Sequence, residues 1–229
     1  LMFWFCRNPV LALPLIALQY HEVKVILDHT IATTFTTGTE NKLWCDYIYL
    51  DTDERRRFAQ VSHEYLIEQV QEQSLEQSAG DHSLNFNHPV KELIWTASHS
   101  GEGAPGELSS TDLVVPAQVG GTFQLRLNGH DRFAERDSRY FSRIQVWQHH
   151  TGPGGIDTGT NGTHNDSICV YSFALKPEEH QPSGTCNFSR IDNAQLVTSL
   201  TFVPNTVIFA INYNVLRIMS GMGGLAYSN

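Results

Sequence analysis

Two adjacent histidines are the residues whose chemistry first suggests a metal site. His149 and His150 stand side by side, and the other candidates are His130, His164 and His180. The surrounding pattern predicts a strand, and neighbouring residues of a strand point to opposite faces of a sheet. His149 and His150 therefore cannot bind one ion from an extended backbone. We interpret both as strand-end or surface residues and predict no metal and no cofactor.

Motifs of known enzyme classes begin in this chain but are not completed. His21 and His63 are each followed by glutamate, yet the position of the second zinc-binding histidine is occupied by Val25 or Ile67. Residues 221–226 fit a loose dinucleotide-binding fingerprint, which needs a following helix that we do not expect. Three groups of acidic residues either alternate with Arg or Lys or lie in predicted turns, as solvent-exposed ion pairs do. They are Asp51/Asp53/Glu54, Glu178/Glu179 and Asp131/Glu135/Asp137. The sequence predicts no enzyme.

The composition is that of an acidic globular protein. The chain has 229 residues, 41% of them hydrophobic and 17% charged, with a net charge of −9. An acidic chain is poorly suited to neutralise phosphates, and the one basic run, Arg55 to Arg57, is flanked by acids. The most apolar run, residues 10–18, is too short to span a bilayer and contains Pro14. We therefore expect no nucleic-acid binding and no membrane insertion.

The cysteines and the N-glycosylation sequons are the residues at which covalent modification could be expected. The four cysteines have no framework spacing and lie in apolar or strand-like contexts, so we expect buried free thiols: Cys6, Cys45, Cys169 and Cys186. Sequons start at Asn161, Asn165 and Asn187. Asn161 and Asn165 lie in a predicted exposed loop and are the candidate glycosylation sites. Asn187 lies in a strand-like run and is predicted to be inaccessible.

Alternation of apolar and polar residues is the dominant pattern and predicts strands. The predicted strands cover residues 21–27, 47–50, 66–70, 90–96, 122–128, 144–148, 168–175, 196–202 and 207–215. Asp51, followed three residues later by Glu54, predicts a short helix start. No alternation of strands and helices is visible, so the fold class is all-β, an antiparallel jelly-roll sandwich. Seven residues are predicted to be buried between its sheets: Phe123, Leu125, Leu127, Phe173, Phe209, Ile211 and Tyr213.

Two parts of the chain differ in their number of predicted strands. Residues 1–57 hold a few strands, too few to close a sandwich, whereas residues 58–229 hold about eight, enough for one complete jelly roll. The chain also opens on LMFWF, which has the composition of a core strand. We therefore expect the first part to belong to a larger domain, to fold poorly by itself and to promote irregular association. Residues from about Phe58 onward should fold as a unit.

Long segments of the chain resemble the major capsid proteins of nucleocytoplasmic large DNA viruses, such as phycodnaviruses and iridoviruses. They are LALPLIALQYHEV (11–23), DYIYLDTDERRRF (46–58), NHPVKELIW (87–95), NGHDRF (128–133), QHHT (148–151), YSFALKPEEHQPSGTCNFSRIDN (171–193) and NYNVLRIMSGMGGLAYSN (212–229). The sequence departs from the family at Val10, where glycine is usual, and in a longer loop over residues 151–167.

The resemblance implies a structural protein of the virion. It implies two consecutive jelly rolls per chain, with residues 1–57 as the last strands of the first and residues 58–229 as the second. It also implies a homotrimer that tiles an icosahedral shell, contacts neighbouring capsomers and minor capsid proteins, and assembles in the host cell cytoplasm.

Two other functions remain open at this point. A jelly-roll carbohydrate-binding module would place aromatic residues in its rim loops, but residues 98–110 and 151–166 contain no Trp, Tyr or Phe. A cupin-like metal enzyme would need two histidines one residue apart, which the histidine spacing does not provide.

Overall fold

The computed structural model describes residues 3–26, 42–96, 121–152, 154–155, 168–199, 202 and 206–227. Within these ranges the helices are α1 (Thr52–Gln60), α2 (Gln145–His149), a π-helical turn at Tyr140–Ile144 and three 3₁₀ turns at Trp4–Cys6, Pro9–Leu11 and Phe188–Arg190. The strands are β1 (His63–Ser74), β2 (Gly80–Ser83), β3 (Pro89–Thr96), β4 (Thr122–Leu127), β5 (His130–Asp131), β6 (Arg136–Asp137), β7 (Ile168–Ser172), β8 (Cys186–Asn187), β9 (Ala194–Thr198), β10 (Val207–Met219) and β11 (Met222–Leu225).

The strands form two sheets. The first has the order β1-β10-β3-β7, with β11 added to β10 and β8 added to β3. The second has the order β2-β9-β4-β5, with β6 added to β4. The registers of β10 with β3 and of β4 with β9 are antiparallel. The predicted all-β antiparallel class is therefore confirmed.

Aromatic side chains form the centre of the hydrophobic core. Trp95 on β3 packs edge-on against Phe123 on β4, with ring centroids 5.3 Å apart, and both rings contact Phe141 in the π-helical turn. Trp95, Phe123 and Phe141 are all fully buried. Burial of each such side chain contributes on the order of 2–3 kcal/mol, so this cluster is a large part of the core's stability.

The chain separates into two compact units. The first comprises Leu1–Ile67 with Val215–Ser228, and the second Glu68–Asn214. In the first unit, the backbone amide of Tyr20 donates to the carbonyl of Gly221. Gly221 has φ +80°, and a Cβ atom there would lie 2.8 Å from the Tyr20 ring, so this close approach requires glycine.

Helix α1 begins where the sequence predicts it. The carboxylate of Asp51 accepts hydrogen bonds from the backbone amides of Asp53 and Glu54, at 3.0 and 2.9 Å. The Glu54 carboxylate in turn accepts from the Asp51 amide. This reciprocal capping box satisfies amides that the first helical turn leaves without partners.

Three predicted strands are wrong. The described residues 21–26 and 47–50 are not strands, because alternation becomes a strand only where a neighbour completes the backbone hydrogen bonds. Residues 144–148 are helical instead. There the buried side-chain amide of Gln145 donates to the Tyr140 hydroxyl within the helical segment and accepts a hydrogen bond from the Ser172 backbone amide, and this second contact holds the segment against β7.

The predicted buried face of β10 is also wrong in its first half. Ile208 and Ala210 are fully buried, whereas Phe209 and Ile211 are only half-buried. Both faces of this segment carry apolar residues, so alternation alone cannot select one. Of the other predicted core residues, three are buried and two are partly buried: Phe123, Leu125 and Tyr213, then Leu127 and Phe173.

The cysteines differ from the prediction in their burial. All four carry free thiols, but Cys6 and Cys45 are exposed, Cys186 is half-buried and Cys169 alone is buried. The correction concerns the first unit, where the apolar sequence around Cys6 and Cys45 does not form part of a core.

Candidate assembly surface

The candidate glycosylation sites Asn161 and Asn165 lie outside the described residues. The third sequon, at Asn187, is engaged in local structure. Asn187 accepts a hydrogen bond from the Ser189 amide, and the Ser189 hydroxyl accepts one from the His88 amide. Phe188 between them is buried. Asn187 itself is half-buried, so these contacts restrain its side chain but do not make it inaccessible as predicted.

The two adjacent histidines lie on a helix end and not on a strand. His149 is the last residue of α2 and His150 caps it. His149 Nδ1 lies 3.0 Å from the carbonyl oxygen of Leu175. Across the described part of the chain, no group of three His, Cys, Asp or Glu side chains has an arrangement that could hold a metal ion.

His150 is surrounded by two carboxylates. Its Nε2 lies 3.0 Å from Glu92 on β3, and its Nδ1 lies 3.3 Å from Glu178. The neighbouring Glu92 raises the pKa of His150 above its ordinary value, against a smaller lowering by burial. The Thr151 amide and hydroxyl both donate to Glu178 and lower the pKa of that carboxyl, and His150 adds to this effect.

Lys91 is a fully buried charge that the sequence did not reveal. Its ammonium lies 2.7 Å from Glu68 and 2.6 Å from the carbonyl oxygen of Pro177, and it sits over the ring of Tyr213 at 5.7 Å. The register of β3 with β10 shifts here, because Val90 and Glu92 pair with consecutive residues of β10. Lys91 is thus the extra residue of a β-bulge, and its side chain lies with Glu68, Pro177 and Tyr213.

The glycine-rich residues 221–226 form a hairpin instead of opening a helix. Met219 and Met222 are paired across the turn from β10 to β11. Ser220 and Gly221 between them both have positive φ, as a two-residue type I′ turn requires. Residues 222–225 form strand β11, so the segment that follows the glycine turn is not the helix that a dinucleotide site requires.

Exposed apolar side chains of the second unit are found on the helical segment at residues 140–149 and just after β7. Trp147 is 80% exposed, and Ile144 lies three residues earlier, on the same side of the helical turn. Leu175, 72% exposed, follows β7 and is tied through its carbonyl to His149. We call Ile144, Trp147 and Leu175 the Trp147 surface. Contiguous exposed apolar surface marks sites of interaction with other proteins, and Trp147 is the largest and most exposed of these three side chains.

No helix in the described ranges is long and apolar enough to cross a bilayer.

Comparison with known proteins identifies the class. Residues 54–224 match the family of large eukaryotic DNA virus major capsid proteins, and residues 1–51 match the family of major capsid protein N-termini. The whole chain aligns at 53% identity with 60% of a major capsid protein of Pyramimonas orientalis virus. It also aligns at 40% identity with 66% of the major capsid protein of Paramecium bursaria Chlorella virus 1.

A solved structure supports the same class. The PBCV-1 virus capsid contains a chain similar to this one, with a TM-score of 0.73 and 37% identity over the whole of this chain and 70% of that one. The chain belongs to the major capsid proteins of large eukaryotic DNA viruses. The resemblance and the jelly-roll class predicted from the sequence are confirmed. The chain spans about 60–66% of the length of the curated relatives named above.

Proposed function

We propose that this chain is a structural subunit of a virion shell. In this proposal it forms homotrimers that tile the icosahedral capsid of a large double-stranded DNA virus, and these contact neighbouring capsomers and minor capsid proteins. Assembly takes place in the host cell cytoplasm. The subunit works through its shape and its contacts and catalyses no reaction.

The proposal includes a division of the chain into parts of two jelly rolls. Residues 1–57 supply the last strands of the first, and residues 58–229 form the second. The supporting observation is that two different family models match on either side of residues 51–54.

The Trp147 surface is the observation that carries the assembly role. Burying an aromatic side chain of this kind removes about 150–250 Å² from water. Such burial is worth on the order of 2–3 kcal/mol per contact, as for the aromatic side chains of the core. Closed symmetric assemblies repeat each contact in every copy, so the gain is multiplied over a shell. We therefore assign the Trp147 surface to contacts between copies of this chain.

Hydroxyl-radical footprinting of purified particles and of the free chain tests both parts of the proposal. The chain should be a principal protein of the particles, and its absence from them would contradict the capsid role. Trp147 and Leu175 should be labelled about tenfold less in particles than in the free chain. Val70, an exposed apolar residue of β1, is the comparison site. Equal labelling of Trp147 in both samples would show that this surface is not a subunit contact.

A carbohydrate-binding module is the alternative from the sequence. Its candidate loops, residues 98–110 and most of 151–166, lie outside the described residues, and no specific contact elsewhere favours it. The capsid role remains the better-supported function.

A further inference from the structure

Three segments of the second unit meet at the imidazole of His150. His150 caps α2, Glu92 belongs to β3, and Glu178 lies in residues 174–179, which follow β7. The two ring nitrogens face different carboxylates: Nε2 is 3.0 Å from Glu92 and Nδ1 is 3.3 Å from Glu178. The imidazole side chain is 18% exposed and the Glu92 side chain 5%, so water compensates their charges poorly.

This geometry imposes a requirement on the protonation of His150. A neutral imidazole carries a proton on one ring nitrogen and a lone pair on the other. It would therefore turn a lone pair toward one of the two carboxylates. Only the imidazolium form places a positive charge beside both carboxylates: its Nδ1–H can donate to Glu178, and its Nε2 forms an ion pair with Glu92 at 3.0 Å without the alignment of a hydrogen bond.

We propose that His150 is a proton-operated clasp that holds residues 174–179 against α2 and β3. With the proton bound, one cation neutralises two carboxylates from separate segments. When the proton leaves, Glu92 and Glu178 repel each other across a neutral ring and the clasp opens. The clasp is a property of the folded chain and does not depend on the assembly role.

The other charged groups around the clasp are already paired. Lys91, next to Glu92 on β3, is bound to Glu68 and to the carbonyl oxygen of Pro177. In residues 174–179, Lys176 pairs with Glu179 at 2.9 Å. On α2, His149 faces the carbonyl oxygen of Leu175 and no carboxylate at this site. None of these pairs supplies a second cation to Glu92 and Glu178 together.

The direction of the pKa shifts sets the pH range of the clasp. The pKa of His150 is raised in the folded chain. The contribution of protonated His150 to the stability of the folded chain is therefore complete below the pKa of an unfolded histidine, about 6.5. This contribution is lost as the pH rises through the pKa of His150 in the folded chain. The pKa of Glu178 is lowered, so the contribution of its ionised carboxylate to stability is lost only at acid pH, as the pH falls through that lowered pKa. The clasp is closed near pH 6 and opens toward alkaline pH.

Thermal unfolding of His150→Gln at two pH values tests the clasp. At pH 6 the variant should melt about 2–4 °C below the wild-type chain, and at pH 9 this difference should nearly disappear. His130→Gln, which changes an exposed histidine of β5, is the matched control and should show no such pH dependence. An equal loss for His150→Gln at both pH values would overturn the proposal.

A second measurement keeps the test valid if His150→Gln does not fold. NMR titration of the wild-type chain should place the pKa of His150 above about 6.5, and Glu178→Gln should lower it. A His150 that titrates at or below this value in the wild-type chain, or that Glu178→Gln leaves unchanged, would contradict the clasp.

Discussion

At the scale of the single residue, Lys91 shows how the second unit tolerates a charge in its interior. The side chain of Lys91 is 1% exposed and that of Glu68 is 9% exposed, so both ions have left water. Such a pair contributes little net stability, because desolvation offsets the attraction between its charges. Removing one partner is costly, however, because the other charge then remains buried without compensation. Lys91 therefore specifies where Glu68 and the segment at Pro177 must lie.

Substitution of Lys91 tests this asymmetry. Lys91→Met should lower the free energy of unfolding by about 3–5 kcal/mol, whereas the double variant Lys91→Met/Glu68→Leu should recover much of that loss. Lys176→Met, which breaks an exposed ion pair with Glu179, should cost less than about 1 kcal/mol. Urea denaturation of the three variants gives the comparison. A loss for Lys91→Met as small as that for Lys176→Met would show that the burial of the pair is energetically unimportant.

At the scale of the element, two glutamine side chains of β1 make hydrogen bonds to the segment after β2 in place of strand-to-strand backbone hydrogen bonds. The Gln71 amide exchanges two hydrogen bonds with the backbone of Asn87, at 2.7 and 3.0 Å. The Gln73 amide does the same with Ser83 and Asn85, at 2.6 and 2.8 Å. Because a side-chain amide has both a donor and an acceptor, it can pair with extended backbone as a neighbouring strand would. The two-residue spacing places both glutamines on one face of β1.

Removing these amides should release the segment after β2. Gln71→Leu/Gln73→Leu should cost about 0.5–1.5 kcal/mol for each hydrogen bond lost, because the exposed backbone groups can bond to water instead. Amide hydrogen exchange at Asn85 and Asn87 should accelerate by at least about tenfold. Glu72→Gln, on the opposite face of the same strand, is the control. Unchanged exchange at Asn85 and Asn87 would mean that other contacts hold the segment.

At the scale of the whole molecule, the two units differ in how well they cover apolar side chains. The second unit has an aromatic core, whereas the first buries few large apolar residues, chiefly Ile67 and Ile218. Exposed large apolar residues in the first unit are Phe3, Val10, Leu15, Tyr20, Val23, Val25, Ile26, Leu43, Trp44, Tyr47, Ile48, Tyr49, Val61, Met219, Met222, Leu225 and Tyr227. Apolar surface of this extent favours association.

Size-exclusion chromatography of two versions of the chain tests this difference. The 229-residue chain by itself should associate irregularly, since the ordered trimers proposed above are those of the assembled particle. A version that begins at Phe58 should elute as a more homogeneous species, because it lacks most of the exposed apolar residues of the first unit. A discrete monomer or trimer from the full chain would show that the first unit satisfies its own apolar surface.

The sequence by itself determined those features that depend on near neighbours. Alternation predicted β3, β4 and β7, and the spacing of Asp51 and Glu54 predicted the start of α1, since side-chain direction in a strand and capping are local effects. The capsid family also followed from ordered segments of sequence alone. The absence of a recognisable enzyme motif likewise needed no coordinates.

The tertiary structure decided the features that depend on distant partners. Alternation could not choose the buried face of β10, because both of its faces are apolar and only packing against the second sheet selects Ile208 and Ala210. Lys91 has the sequence pattern of an ordinary polar strand residue, and its burial results from contacts with Glu68, Pro177 and Tyr213, which are distant in sequence. His150, too, could be read as a surface residue until folding brought Glu92 and Glu178 to its two nitrogens from 58 and 28 positions away in sequence. Such contacts arise from chain reversals that no local pattern encodes.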